Sequence, residues 1–284
     1  MASLRPTPRP MRALRCLRLI LHFLWGAFLV ATVYPLSRDA FRLWLKRNWS
    51  RQLLAILGVR LDSNLSGIEP GSLIVANHIS WLDIYAINAV RPSAFVSKAE
   101  VRGWPLIGWL SSQTDTIFLR RDSRRHASAV NDEIAEMLAR NKDVVIFPEG
   151  TTTDGTKLLK FHSALLQSAI AAGRPVQPVA LSYFDAAGQR SLAPVYAGET
   201  TMAQCLSAIF AHRRLVVRLR PTPALDANGQ RRGDLARTAQ GAIAYSLGVQ
   251  PVHDSRESKG IPQETSDFAP PCAVKVSALR SEQA

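Results

Sequence analysis

Short apolar runs rich in β-branched residues alternate with stretches of helical periodicity along most of this chain. Residues 72–76, 95–97, 116–119, 144–147, 176–181 and 215–219 are compact and bounded by polar or turn-forming positions, as strands are. Between them, Ala127, Val130, Ile134 and Leu138 fall on one face of a helix. A second helix is predicted over 158–172, closed by Gly173 and then Pro175. The pattern predicts an α/β fold, a mixed sheet flanked by helices, in which ligands sit beyond the C-terminal ends of the strands. No internal repeat is visible.

The N-terminal pattern is different. From Leu19 to Ser37 no residue carries a formal charge, and His22 is the main polar interruption. That length is borderline for a helix crossing ~30 Å of hydrocarbon. The next stretch, 41–49, mixes Arg and Lys with Trp, Phe and Leu, as helices lying in a membrane interface do. A cleaved signal is disfavoured because no small-x-small site is obvious and basic residues follow the run. A single spanning helix has positive charge on both flanks and so no clear orientation. A hairpin packed inside a soluble protein is the bland reading. The favoured one is a helical hairpin that dips into one leaflet.

Charge supports that choice. The net charge is +13, and residues 1–60 hold eleven Lys and Arg against Asp39 alone, so that stretch supplies +10 of it. Basic flanks around an apolar run fit anionic headgroups better than nucleic acid. The expected organisation is a disordered basic tail over 1–12, a membrane-associated hairpin over 13–60, the α/β domain over 61–250, and a disordered tail over 251–284. Cys16, Cys205 and Cys272 are scattered without metal-like spacing. They argue against a disulfide framework and for a reducing compartment. With membrane contact, that points to the cytoplasmic face of the inner membrane.

Two segments could carry chemistry. In Asn77-His78-Ile79-Ser80-Trp81-Leu82-Asp83 a carboxylate stands five residues after an imidazole. Histidine's reference pKa of about 6.5 keeps a neutral base available near pH 7, and a carboxylate can orient it. The spacing alone means little, since chance gives about 0.3 such pairs in a chain of this composition. Asp83 also fits the Ser-x-x-acid pattern of a helix start, a compatible structural role. In Phe147-Pro148-Glu149-Gly150-Thr151, Gly150 lets backbone approach a ligand, and N–H groups of such a turn form an anion-binding concavity. Glu149 could equally pair within the loop. No Gly-x-Ser-x-Gly elbow, metal cluster or dinucleotide fingerprint appears in the sequence.

These two motifs, with Ile117-Phe118-Leu119-x-Arg121 between them and Val176-x-Pro178-Val179 after them, stand in an order and spacing that resemble the glycerolipid acyltransferase family. The likeness is strongest to bacterial 1-acyl-glycerol-3-phosphate acyltransferases and covers roughly residues 70 to 220. Lys98-x-Glu100 and 104–109 are similar to the stretch between the first two motifs. The resemblance implies that His78 is the general base and Asp83 orients it. It implies that Arg121 grips the acceptor's phosphate, with Glu149, Gly150 and Thr151 completing headgroup binding; Arg120 is the fallback. No resident cofactor or metal is expected, and acyl-CoA or acyl carrier protein serves as cosubstrate. The expected partners are membrane phospholipids and a lysophospholipid acceptor, with no nucleic acid.

Two departures bear on specificity. Asp115 stands where a Gly is common, and Thr152-Thr153-Asp154 follows Thr151 where the family usually has an Arg. Lyso-ornithine lipid and glycerol-3-phosphate therefore stay open as acceptors. A hydrolase using the same pair with water, and a basic nucleic-acid-binding module, are the readings from other classes.

Overall fold

The computed structural model describes residues 6–120 and 124–252. Its frame is a seven-stranded sheet in the order β1-β7-β6-β2-β5-β3-β4. The strands are β1 (Val59–Ser63), β2 (Leu73–Ala76), β3 (Ala94–Lys98), β4 (Thr116–Leu119), β5 (Val144–Ile146), β6 (Val176–Asp185) and β7 (Leu215–Pro221). All neighbours run parallel except β6 and β7, so the sheet is mixed. The helices are α1 (Arg9–Thr32), α2 (Asp39–Leu57), α3 (Leu82–Asn88), α4 (Ile107–Gln113), α5 (Arg124–Ala139), α6 (Gln167–Ala172), α7 (Met202–Ala211) and α8 (Arg232–Leu247).

Alternation along the strands divides the core between the two faces. Ile74, Ala76, Val145 and Leu181 join Leu53 and Leu57 of α2, Leu82 and Ile87 of α3, and Ile209 of α7. Leu73, Val75, Val144 and Ile146 join Val130, Ile134 and Leu138 of α5 and Leu235, Ala239 and Ile243 of α8. Because β2 and β5 lie side by side in parallel, the segments leaving their C-terminal ends must meet.

Four expectations change. The helix predicted over 158–172 exists only from Gln167, preceded by a single 3-10 turn (Ala164–Leu166). Upstream, partners elsewhere take the backbone groups. Leu159 N–H donates to the Glu149 carboxylate, Val252 N–H to Leu158 O, Gln240 to Leu159 O, and His162 N–H to Pro148 O. A helix starting at 158 would claim the His162 N–H and the Leu158 and Leu159 carbonyls for its own ladder. Second, the tail expected over 1–12 is structured where described: α1 begins at Arg9, and Thr7 N–H donates to Ala211 O at 3.0 Å. Residues 1–5, and 253–284 of the expected C-terminal tail, lie outside the described residues.

Third, the hairpin is not separable at residue 60. Leu53, Leu54, Ile56 and Leu57 of α2 are core residues, and β1 already starts at Val59. Fourth, the α/β domain extends past 250, since Pro251 bridges to Leu158. The strand β1 and the helices α4, α7 and α8 had no reading from the sequence.

Candidate active site

Asn77 sets the first motif in place. Its amide donates to Leu181 O at 3.0 Å and accepts from Leu181 N–H at 2.8 Å, so the chain leaving β2 stays locked to β6. His78 then sits at the sheet's C-terminal edge, half-buried, with its ring stacked on Phe147 at 4.0 Å between centroids and 12° between planes. Its Nδ1 lies 2.8 Å from Asp83 Oδ2. A neutral imidazole donating from Nδ1 carries its lone pair on Nε2, which the ring geometry directs away from Asp83.

Asp83 is fully buried and fully partnered. Oδ2 also accepts from Ile79 N–H at 2.7 Å and Ser80 N–H at 2.9 Å, and Oδ1 accepts from the Tyr183 hydroxyl at 2.7 Å. Asp83 thus makes two kinds of contact at once: it ties the turn before α3 and it lies against His78. Burial raises the Tyr183 hydroxyl well above its usual pKa, and the Asp83 charge adds to that rise. Tyr183 therefore stays a donor. Nothing in the sequence singled it out, because a Tyr inside an apolar strand reads as core.

Glu149 also turns inward. Oε1 accepts from His78 N–H at 2.8 Å and Oε2 from Leu159 N–H at 3.0 Å, and the residue is 4% exposed. Burial pushes its carboxyl up to about 7, against the pull of those two donors. So Glu149 ties the two motifs together, with each carboxylate oxygen taken by a backbone donor. Gly150 takes a left-handed φ of 72°, which lets the turn close, and Thr151 is exposed at its tip. The N–H groups of His78, Ile79 and Ser80 all go to carboxylates, so they cannot serve as oxyanion donors. Thr153 N–H closes the loop onto His78 O at 2.9 Å.

Arg121 lies outside the described residues. Arg120 is exposed just after β4. Asp115 adopts φ 59°, the conformation that explains a Gly at this place in relatives of the resembled family. Its carboxylate takes up Lys46 of α2 at 2.9 Å. Among the described residues no group of His, Cys, Asp and Glu could hold a metal ion.

The chain has counterparts among known proteins. A family model described as Acyltransferase matches residues 58–182. A lyso-ornithine lipid O-acyltransferase of Pseudomonas aeruginosa is 40% identical over 219 residues, covering 76% of this chain and 81% of that protein. The chain belongs to the acyltransferase family. A further family member, a 1-acyl-sn-glycerol-3-phosphate acyltransferase of Neisseria meningitidis, is 41% identical over 171 residues, covering 60% of this chain and 67% of its own. In fold, this acyltransferase is similar to the crystal structure of the 1-acyl-sn-glycerophosphate acyltransferase PlsC of Thermotoga maritima. The TM-score is 0.61 at 23% identity, over 84% of this chain and 96% of that one.

Proposed function

We propose that this acyltransferase moves a fatty acyl group from a thioester, acyl-CoA or acyl carrier protein, to the free hydroxyl of 1-acyl-glycerol-3-phosphate, forming phosphatidate. The observation that carries the reading is the 2.8 Å contact between His78 Nδ1 and the buried Asp83 carboxylate. His78 Nε2 takes the hydroxyl proton as the alcohol oxygen attacks the thioester carbonyl. The C–S bond then breaks, and the departing thiolate recovers the proton from His78. A positioned base of this kind is worth about 10²–10⁴-fold in rate. Asp83 holds the tautomer and stabilises the imidazolium that forms. Glu149 holds the backbone of His78, while Arg121 and the Gly150–Thr151 turn serve the headgroup, a guanidinium being suited to bidentate bonds with phosphate.

A second acceptor is favoured by a specific observation. Thr152 stands where the family usually has an Arg, and two residues on the exposed Asp154 adds a carboxylate to the loop that Thr153 ties to His78. A lyso-ornithine lipid, whose headgroup offers an ammonium, would meet Asp154 more favourably than a phosphate would. Its name is also that of the Pseudomonas relative's substrate. The N-terminal helices would hold the enzyme on the membrane from the cytoplasmic side, entering one leaflet. Helix α1 is long and apolar enough to cross a membrane by length and composition, and most of its apolar side chains are exposed.

The deciding experiment offers purified full-length enzyme a panel of lyso-lipids with both thioesters. Phosphatidate formation from 1-acyl-glycerol-3-phosphate, faster than acylation of lyso-ornithine lipid, supports the first acceptor; the reverse order supports the second. Release of free fatty acid without any acylated lipid would replace transfer by hydrolysis.

A further inference from the structure

Residues 104–109, Trp104-Pro105-Leu106-Ile107-Gly108-Trp109, run from the end of the 3-10 turn Ala99–Gly103 into the first turn of α4. They present large apolar side chains outward, with Trp104 at 49%, Leu106 at 42% and Trp109 at 41% exposure. Exposed aromatic and aliphatic groups clustered within six residues are unusual on a water-facing surface. The backbone that displays them is strained. Leu106 has φ 58° and ψ −54°, and Ile107 N–H donates back to Pro105 O at 2.6 Å, which closes the rare γ-turn of positive φ. For a residue with a Cβ that conformation is costly, so the surroundings must impose it.

They do so through close packing. A Cβ at Gly108 would lie 2.2 Å from Arg102 O, so the chain can fold back on itself there only through a glycine. The segment is thus a built shape that holds Leu106 outward.

Its position suggests what covers it. Helix α4 packs against α1. On α1 itself Leu17, Leu21, Leu24, Trp25 and Phe28 are exposed, as are Leu36 at the hairpin tip and Phe41 and Trp44 at the start of α2. Tyr34, just before the tip, donates to Asp115, two residues beyond α4. Residues 104–109 therefore continue the apolar surface of the hairpin. Lys98 and Arg102 are exposed beside them, with Glu100 the one acid in that turn. Tryptophans at the edge of an apolar surface, with cations next to them, match the boundary between acyl chains and anionic headgroups.

We propose that residues 104–109 form a second lipid-contacting element, a wedge that enters the headgroup boundary beside the N-terminal hairpin. The occupant of this surface is the bilayer, and the proposal rests on the reading of the hairpin as membrane-associated. The wedge lies in the loop between β3 and β4, on the same sheet edge as the strand that leads to Arg121. It would fix the orientation of the enzyme, because two separate elements on the membrane leave it less freedom to rock than one.

The test uses the full chain with Cys16 and Cys272 replaced by Ser and buried Cys205 left in place. An environment-sensitive fluorophore is attached in turn at Leu106→Cys, Trp104→Cys, Leu36→Cys and Tyr245→Cys. Tyr245 is exposed on α8 and serves as the reference away from the surface. Vesicles contain phosphatidylglycerol, with and without lipids that carry a nitroxide quencher. The expected result is a blue shift and quenching for the probes at 106, 104 and 36, with none at 245. A response at 36 but at neither 104 nor 106 overturns the wedge and leaves the hairpin reading intact. No response at any site overturns both. An equal response at 245 shows unspecific adsorption and also overturns the wedge.

Discussion

The Asp83 carboxylate accepts four hydrogen bonds with no exposure to solvent. Removing the Tyr183 hydroxyl leaves Oδ1 buried without that partner, a loss of about 1–3 kcal/mol. Tyr183→Phe is therefore expected to lower the unfolding free energy by that order in urea titration, and to reduce kcat more than it raises KM. Glu149 gives a pH signature. Its carboxyl titrates near 4.5 when unfolded and about 7 when folded, so between those values the folded state binds more protons. Stability should fall as pH rises through that window and level off above it. Glu149→Gln should flatten the slope; urea midpoints at pH 5, 6 and 8 for both proteins measure it. His78 and Asp83 were legible because they lie on one short turn. Tyr183 was not, since it reaches Asp83 across 100 residues. Glu149 was legible as a site residue but not in its orientation, which depends on the N–H groups of His78 and Leu159.

At the scale of elements, the hairpin crossing centres on Trp49, which also meets Phe23 edge-on at 5.4 Å. His22 stacks on Trp49 at 4.4 Å and approaches Trp49 O at 3.0 Å, while the Trp49 indole donates to His22 O. A Cβ at Gly26 would stand 2.5 Å from Trp49 Nε1, so α1 and α2 come this close only over a glycine. Gly26→Ala is expected to force the helices apart and cost about 1–3 kcal/mol, the range for overpacking, less a helix-propensity gain of roughly 1 kcal/mol. Thermal unfolding in detergent and proteolysis between α1 and α2 would report it. The six strands read from the sequence were recoverable because buried β-branched runs differ from everything around them. The segment 158–166 was misread because its apolar spacing resembles a helix. Its backbone partners, Glu149, Pro148, Gln240 and Val252, could not be known without the fold.

For the whole molecule, the uneven charge and the exposed apolar face lie on the same side of the chain, the N-terminal helices. Attraction of about 1 kcal/mol per Lys or Arg near an anionic surface is screened by salt, whereas apolar insertion is not. Vesicle co-sedimentation should therefore weaken in high salt without vanishing, and complete release would leave only a surface electrostatic contact. Truncation at residue 60 cannot separate these terms, because it strips Leu53 and Leu57 from the core. Charge-neutral substitutions on the exposed face of α1 are the cleaner perturbation.

The central claim is that the imidazole held by Asp83 removes the acceptor's proton. Single-turnover acyl transfer by His78→Ala, with folding and vesicle binding checked in parallel, tests it most directly. A fall of about 10²–10⁴-fold with fold and binding retained is the expected result. Transfer near the wild-type rate in that variant would contradict the account.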